Sequence, residues 1–244
     1  MAEKLWSNDE IYLALSGHQG NPSVNRKVGK SAQVWIQNEH EKPLDAFRSG
    51  SIKKICGDCP LLGWYDPVTK KMVDRVCYGL LHQAPRSVHA SCGADEPSGL
   101  VPQEFKHLLR LGANGDPAFA PEDIQLELIA AAHKGWTCYT HQWQKPFAGW
   151  LRQVSMASVE KKMAEKQGTT VLALVQQAWD MGWKTFRLLG EGETKLKQER
   201  VCWYDLDGTQ CGDCTWCAGL AGPLGVTRTN GVVIPPHGNG KGNY

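Results

Sequence analysis

The chain has 244 residues, of which 41% are hydrophobic, and its 27 lysines and arginines against 25 acidic residues leave a formal net charge of +2. That length and apolar content suffice for a full core, and so mild a charge rules out inferring a nucleic-acid partner from net charge alone. The opening MAEKLWSNDEIYLAL lacks a basic start followed by an apolar stretch and a cleavage site, and no run approaches the ~18 apolar residues of a membrane span, so a cytoplasmic protein with no membrane contact is expected.

In chain order, residues 1–50 read as an irregular lead-in, with turn-rich SGHQGNPSVNRKVGK followed by one strand, AQVWIQ, over 32–37. Residues 51–104, with cysteines and Pro60, Pro67, Pro85, Pro97 and Pro102, predict loops around one helix near 84–92. From residue 105 short apolar runs alternate with helical patterns. FKHLLRLG (105–112) reads as a strand, and APEDIQLELIAAAHKG as a helix with Pro121 and acidic residues in its first turn and Gly135 at its end. WTCYTH (136–141) reads as a strand, PFAGWL as a short helix and RQVSMAS (152–158) as a strand. TTVLALVQQAWDMG (169–182) reads as a helix, and WKTFRLLG (183–190) and the last run GVVIPPHG (231–238) as strands.

This alternation predicts an α/β fold of parallel β-α-β units. No G-x-G-x-x-G or G-x-x-x-x-G-K-[ST] follows any strand, which argues against dinucleotide and nucleoside-triphosphate folds and for a full or partial β/α barrel of about six strands. The expected organisation is a lead-in and cysteine-rich segment over 1–104 and a barrel-like core over 105–244, forming one unit. Ligands in such folds meet the C-terminal strand ends. Those ends carry NGDP (114–117), THQW (140–143), MAS (156–158), Arg187 and HGN (237–239).

Nine cysteines are many for a reduced compartment, where clustered thiols are metal ligands or reactive groups. Cys202, Cys211, Cys214 and Cys217 follow C-x8-C-x2-C-x2-C, which suits one tetrahedral Zn²⁺ or the corners of a [4Fe–4S] cluster. Cys56, Cys59, Cys77 and Cys92 are spaced C-x2-C-x17-C-x14-C. They read either as a four-cysteine zinc site or as three cysteines on a [4Fe–4S] cluster with one iron open to a small molecule. Cys92 decides between these, because a fourth thiolate would close the cluster. Cys138, inside an apolar strand, reads as a core thiol.

The ordered set ICGDCP, VCYG, GDP, YTHQW, MAS, GWKTFRLLG, C-x8-C-x2-C-x2-C and a final HG resembles a family of cysteine-rich bacteriophage and prophage proteins of unassigned activity. The match spans roughly residues 30–240. More distantly, cysteines ending in CY, a basic residue before GD and a later YT are similar to phage families with a radical-SAM-like barrel. The resemblance implies a phage source, a host-cytoplasmic location and a β/α barrel. With a radical-SAM-like site it also implies S-adenosylmethionine as a cofactor. The chain spreads its cysteines more widely than the C-x3-C-x2-C loop of that superfamily.

Asp116 at one strand end is a candidate general base, and His141 at another a candidate substrate or metal ligand. Arg187, like Arg110, is a charge in an apolar strand that needs an anionic partner, from a ligand or from the protein itself. Asp116, His141 and Arg187 form the candidate catalytic set; Tyr78 beside Cys77, with Arg110, Asn114, Gln142 and His237, forms the candidate cofactor-binding set. Ten tryptophans supply packing and candidate surfaces for stacking a base. Two functions follow: an iron–sulfur enzyme acting on a nucleotide, nucleic acid or small metabolite, or a zinc-stabilised protein that binds nucleic acid or a nucleotide without turnover. Modification of a DNA base is a third expectation that overlaps both.

Overall fold

The stretch GKSAQVWIQN (29–38) carries the apolar residues Ala32, Val34, Trp35 and Ile36 at its centre, and in the computed structural model it forms the 10-residue strand around which the N-terminal half is built. The structure describes residues 2–77, 79–190, 192–221 and 230–235. In chain order its first elements are β1 (Ala2–Ser7), β2 (Ile11–Ser16), β3 (Ser23–Asn25), β4 (Gly29–Asn38), α1 (Pro43–Ser49), α2 (Lys53–Cys56), the hairpin β5 (Trp64–Asp66) and β6 (Lys71–Val73), and α3 (Ala84–Cys92). Then follow β7 (Leu108–Asn114), α4 (Glu122–Ala130), β8 (Trp136–Thr137), β9 (Tyr139–Thr140), β10 (Met156–Val159), α5 (Lys161–Lys166), α6 (Val171–Asp180) and β11 (Thr185–Leu188). The last are β12 (Glu199–Val201), α7 (Trp203–Asp207), α8 (Cys211–Cys214) and β13 (Gly231–Ile234). Short 3₁₀ turns cover Pro117–Phe119 and Pro146–Gln153.

Two sheets carry all of these strands except β5 and β6, which pair with each other as a separate antiparallel hairpin. The first runs β1-β2-β4-β7-β8, with β3 also on β4, and the second β12-β13-β11-β10-β9. Pairing is antiparallel from β1 to β4 and parallel from β4 through β8. The second sheet is parallel throughout. The sheets meet at Cys138, which separates β8 from β9. Its N–H leaves the ladder to donate to Cys217 O (3.1 Å), and its carbonyl accepts from Met156 N (3.0 Å), handing the strand from β7 to β10. The fold is therefore mixed α/β with parallel segments. β4 and β7 pair across residue 104, so one sheet spans both halves of the chain.

Residue parity on β4 sorts the core. Ala32, Val34 and Ile36 face the main cluster with Leu13, Leu109, Leu111 and Val159, whereas Trp35 faces Tyr12, Ala14, Val88 and Cys92 beneath α3. α6 starts at Thr170, whose Oγ1 accepts from Ala173 N (3.1 Å), and adds Leu174, Val175 and Ala178 to the main cluster.

The N-terminal 50 residues are the main correction to the expected organisation: they form four strands rather than a lead-in with one. β2 is buried along five of its six residues, so it lacks the alternation that marks a half-exposed strand. The helices at 84–92, 122–130 and 171–180 lie where the sequence predicts them, and the strands within 105–112, 136–141, 183–190 and 231–238 start or end within a few residues of expectation. β12 and α5 were not anticipated. β12 is three residues long with two charges, and its buried Glu199 is paired with Arg187 and accepts from Leu196 N (2.7 Å). Among the described residues no helix is long and apolar enough to cross a membrane.

Candidate functional site

Three neighbouring parallel strands each deliver an ionisable group within two residues of their C-terminal ends: Asp116 after β7, His141 after β9 and Glu160 after β10. Gly115, at φ 77°, turns the chain after β7, and a Cβ there would stand 2.7 Å from Ile36 Cβ, so the NGDP turn needs glycine. Asp116 is 5% exposed and accepts three hydrogen bonds, from Thr140 Oγ1 (2.7 Å), His141 N (2.7 Å) and Ala118 N (3.0 Å). Burial raises its carboxyl above the usual range, against the opposing pull of His141 and those three donors. The His141 ring lies between two acids, with Nδ1 4.0 Å from Asp116 Oδ2 and Nε2 3.5 Å from Glu160 Oε1. Burial opposes the charged imidazolium, but Cys59 and Glu160 outweigh it and hold His141 well above its ordinary range.

The Cys56 loop is tied down over these strand ends. Asp116 N donates to Ile55 O (2.7 Å) and Gln142 Nε2 to Cys56 O (3.1 Å). Gly57, at φ 54°, packs so closely that a Cβ would stand 2.6 Å from the Phe119 ring and 2.9 Å from Gln142 Oε1. The Cys77 segment joins through Cys77 N to Leu61 O (3.0 Å), and Arg75 holds Leu62 O (3.3 Å) and Gly79 O (2.5 Å). Burial, then Cys59, Cys77 and Asp116, push the Cys56 thiol well above its usual range, and Arg75 opposes them. Three sulfurs, Asp116 and His141 thus share one neighbourhood. Cys92 is not in it: the thiol is buried under α3 on the far face of β4, donating to Val88 O at 3.4 Å.

Cys202, Cys211, Cys214 and Cys217 form a second neighbourhood. Burial and then the other three sulfurs raise Cys217, with Tyr139 donating a hydrogen bond that lowers it. Cations surround this group: Lys27 and Arg110 act on Cys211, Arg200 on Cys214, and Cys217 on Lys184. Arg200 also stacks on Trp216 (3.7 Å to the ring centre), which packs on Trp203. Cys211 N donates to Lys27 O (3.1 Å), docking α8 beside the start of β4. Among the described residues no three His, Cys, Asp or Glu side chains already form a coordination shell, so each group is a gathering of donors rather than a finished cage.

Several other sequence candidates are committed elsewhere. Arg187, 1% exposed, is bidentate to Glu199 (2.7 and 2.8 Å) and reaches Glu193 (2.8 Å), so its partner is internal. Asn114 Nδ2 donates to Ile36 O (3.1 Å), clamping β7 to β4. Gln142 supports the Cys56 loop, and Arg110 faces the C-terminal cysteines. Cys138 is fully buried, its thiol pushed up by burial to about 12. Tyr78 and His237 lie outside the described residues. Sequence reasoning missed Glu160, whose signal was an acid directly after the apolar run MASV. Comparison with protein-family models, curated proteins and solved structures returns no match.

Proposed function

We propose that the protein is an iron–sulfur enzyme on a partial β/α barrel, in which Cys56, Cys59 and Cys77 hold a [4Fe–4S] cluster with one iron free of a cysteine ligand. The observation that carries this reading is the convergence of those three cysteines, without Cys92, over the strand ends that bear Asp116, His141 and Glu160. A free iron at strand ends is a place for a small molecule to bind, with S-adenosylmethionine as the candidate and a nucleotide or small metabolite as substrate. Asp116, with three donors on its carboxylate, is a positioning residue that fixes β9 to β7. His141 and Glu160 are the ionisable groups left to face a ligand. Cys202, Cys211, Cys214 and Cys217 hold an auxiliary centre, whose anionic charge matches the cations Lys27, Arg110, Lys184 and Arg200. A bacteriophage origin and action in the host cytoplasm belong to the same reading.

Its test is electron paramagnetic resonance of the anaerobic, reduced protein with and without S-adenosylmethionine. A cluster signal that changes on addition supports the open iron; a cluster signal indifferent to it counts against S-adenosylmethionine as the ligand. A second reading is favoured by one observation: the buried His141 ring is in contact with Cys59, and its Nε2 faces Glu160 Oε1 at 3.5 Å without a well-formed hydrogen bond. It would complete a Cys₃His zinc site, and the protein would then bind nucleic acid or a nucleotide without turnover. His141→Ala separates the two, since it removes zinc from the site in the second reading and leaves iron content unchanged in the first.

A further inference from the structure

Beside Cys59 opens a cleft of about 560 Å³ between α2, the β5–β6 hairpin and α5. Its volume falls in the range of small-molecule sites. Cys59 lines one wall, and Lys162 Nζ closes part of another by donating to Asp74 O (2.9 Å) across the gap between α5 and the hairpin. The residues presented to a ligand are of three kinds. Trp64 on β5 is 53% exposed, a large ring left in solvent at the cleft. Lys53 and Lys166 line it from α2 and α5, and among the described residues neither has a carboxylate within ion-pair distance, whereas the lining Asp58 is already paired with Lys145 at 3.1 Å. Asp74 and Glu165 are exposed carboxylates that likewise lack an ion-pair partner among the described residues.

An uncovered indole, two unpaired ammonium groups and two unpaired carboxylates ask for a ligand with a flat ring, a compact anion and hydrogen-bond donors. We infer that the cleft beside Cys59 binds a nucleoside phosphate with an amino-bearing base: the base stacked on Trp64, its exocyclic amine toward Asp74 or Glu165, and its phosphate between Lys53 and Lys166. Stacking on an aromatic ring is tolerant of base identity, and lysine serves phosphate as a mobile point charge. This inference deepens the proposed function by naming its substrate class, and rests on that reading only for what happens to the ligand after binding.

The test is calorimetric titration of the full chain at low salt with AMP, adenosine and inorganic phosphate as separate probes, with iron and zinc counted on the same samples. AMP is expected to bind more tightly than either fragment, and to weaken as salt rises. Trp64→Leu, and the pair Lys53→Ala with Lys166→Ala, are each expected to weaken AMP binding by about tenfold or more, the factor a stacked base or a phosphate contact supplies. All three positions are exposed, so the melting temperatures should stay near that of the wild type. AMP binding no tighter than its fragments, or equal in wild type and variants, overturns the inference. Iron present without AMP binding removes the inference and leaves the cluster; AMP binding without iron does the reverse.

Discussion

At the scale of single residues, the site depends on where buried charges find partners. Asp116 is legible in the sequence as an acid at a strand end. Its three donors are not, because two of them come from residues 24 and 25 positions later. Asp116→Asn would turn an NH₂ toward at least one of those donors and is expected to cost about 1–3 kcal/mol in denaturant unfolding. Arg187 shows the same gap: an arginine in an apolar strand demands an anion, but only the fold identifies it as Glu199. Arg187→Met leaves the buried Glu199 carboxylate with the Leu196 N–H (2.7 Å) but no cation and is expected to cost about 3–5 kcal/mol. Cys92 gives a pH signature, since burial, then Asp95, raises its thiol from 9.0 to about 11. The folded chain therefore keeps a proton that the unfolded chain loses first. This contribution is complete below pH 9 and lost as pH rises toward about 11. The stability of wild type relative to Cys92→Ala should fall across that window, measured by urea unfolding at each pH; a difference independent of pH would contradict the burial argument.

At the scale of elements, the parallel half was readable because its strands are short, apolar and separated by amphipathic helices, a pattern with one physical interpretation. The antiparallel N-terminal strands were not, since β2 is buried on both faces and turn-rich segments separate it from β4. Membership of the cysteine groups was readable by spacing for the C-terminal set. For the other set spacing could not exclude Cys92, because only the parity of β4 puts α3 on the opposite face. The two groups also differ in what supports them. The Cys56 and Cys77 loops are held to the strand ends by Gln142, Asp116 and Arg75. The C-terminal group is carried by the short helices α7 and α8 and the turn after them. Cys59→Ser is therefore expected to lower iron by about four per chain with little change in melting temperature, and Cys214→Ser to lower metal content and melting temperature together. Equal destabilisation by both would make both groups structural.

At the scale of the whole molecule, the strand that crosses between the sheets at Cys138 touches both cysteine groups. Tyr139 on β9 reaches Cys217, and His141, two residues further along the same strand direction, reaches Cys59. A sequence reading lists the groups 120 or more residues apart without relating them; the sheet relates them through three consecutive residues, Tyr139, Thr140 and His141. The central claim is that both groups hold iron and that the first does so with three cysteines. Iron, acid-labile sulfide and zinc counted per chain on anaerobically purified protein, for wild type and Cys92→Ser side by side, test it most directly. The account predicts about eight irons with matching sulfide in both proteins, four for each cluster; stoichiometric zinc without iron, or a loss of iron in Cys92→Ser, would contradict it.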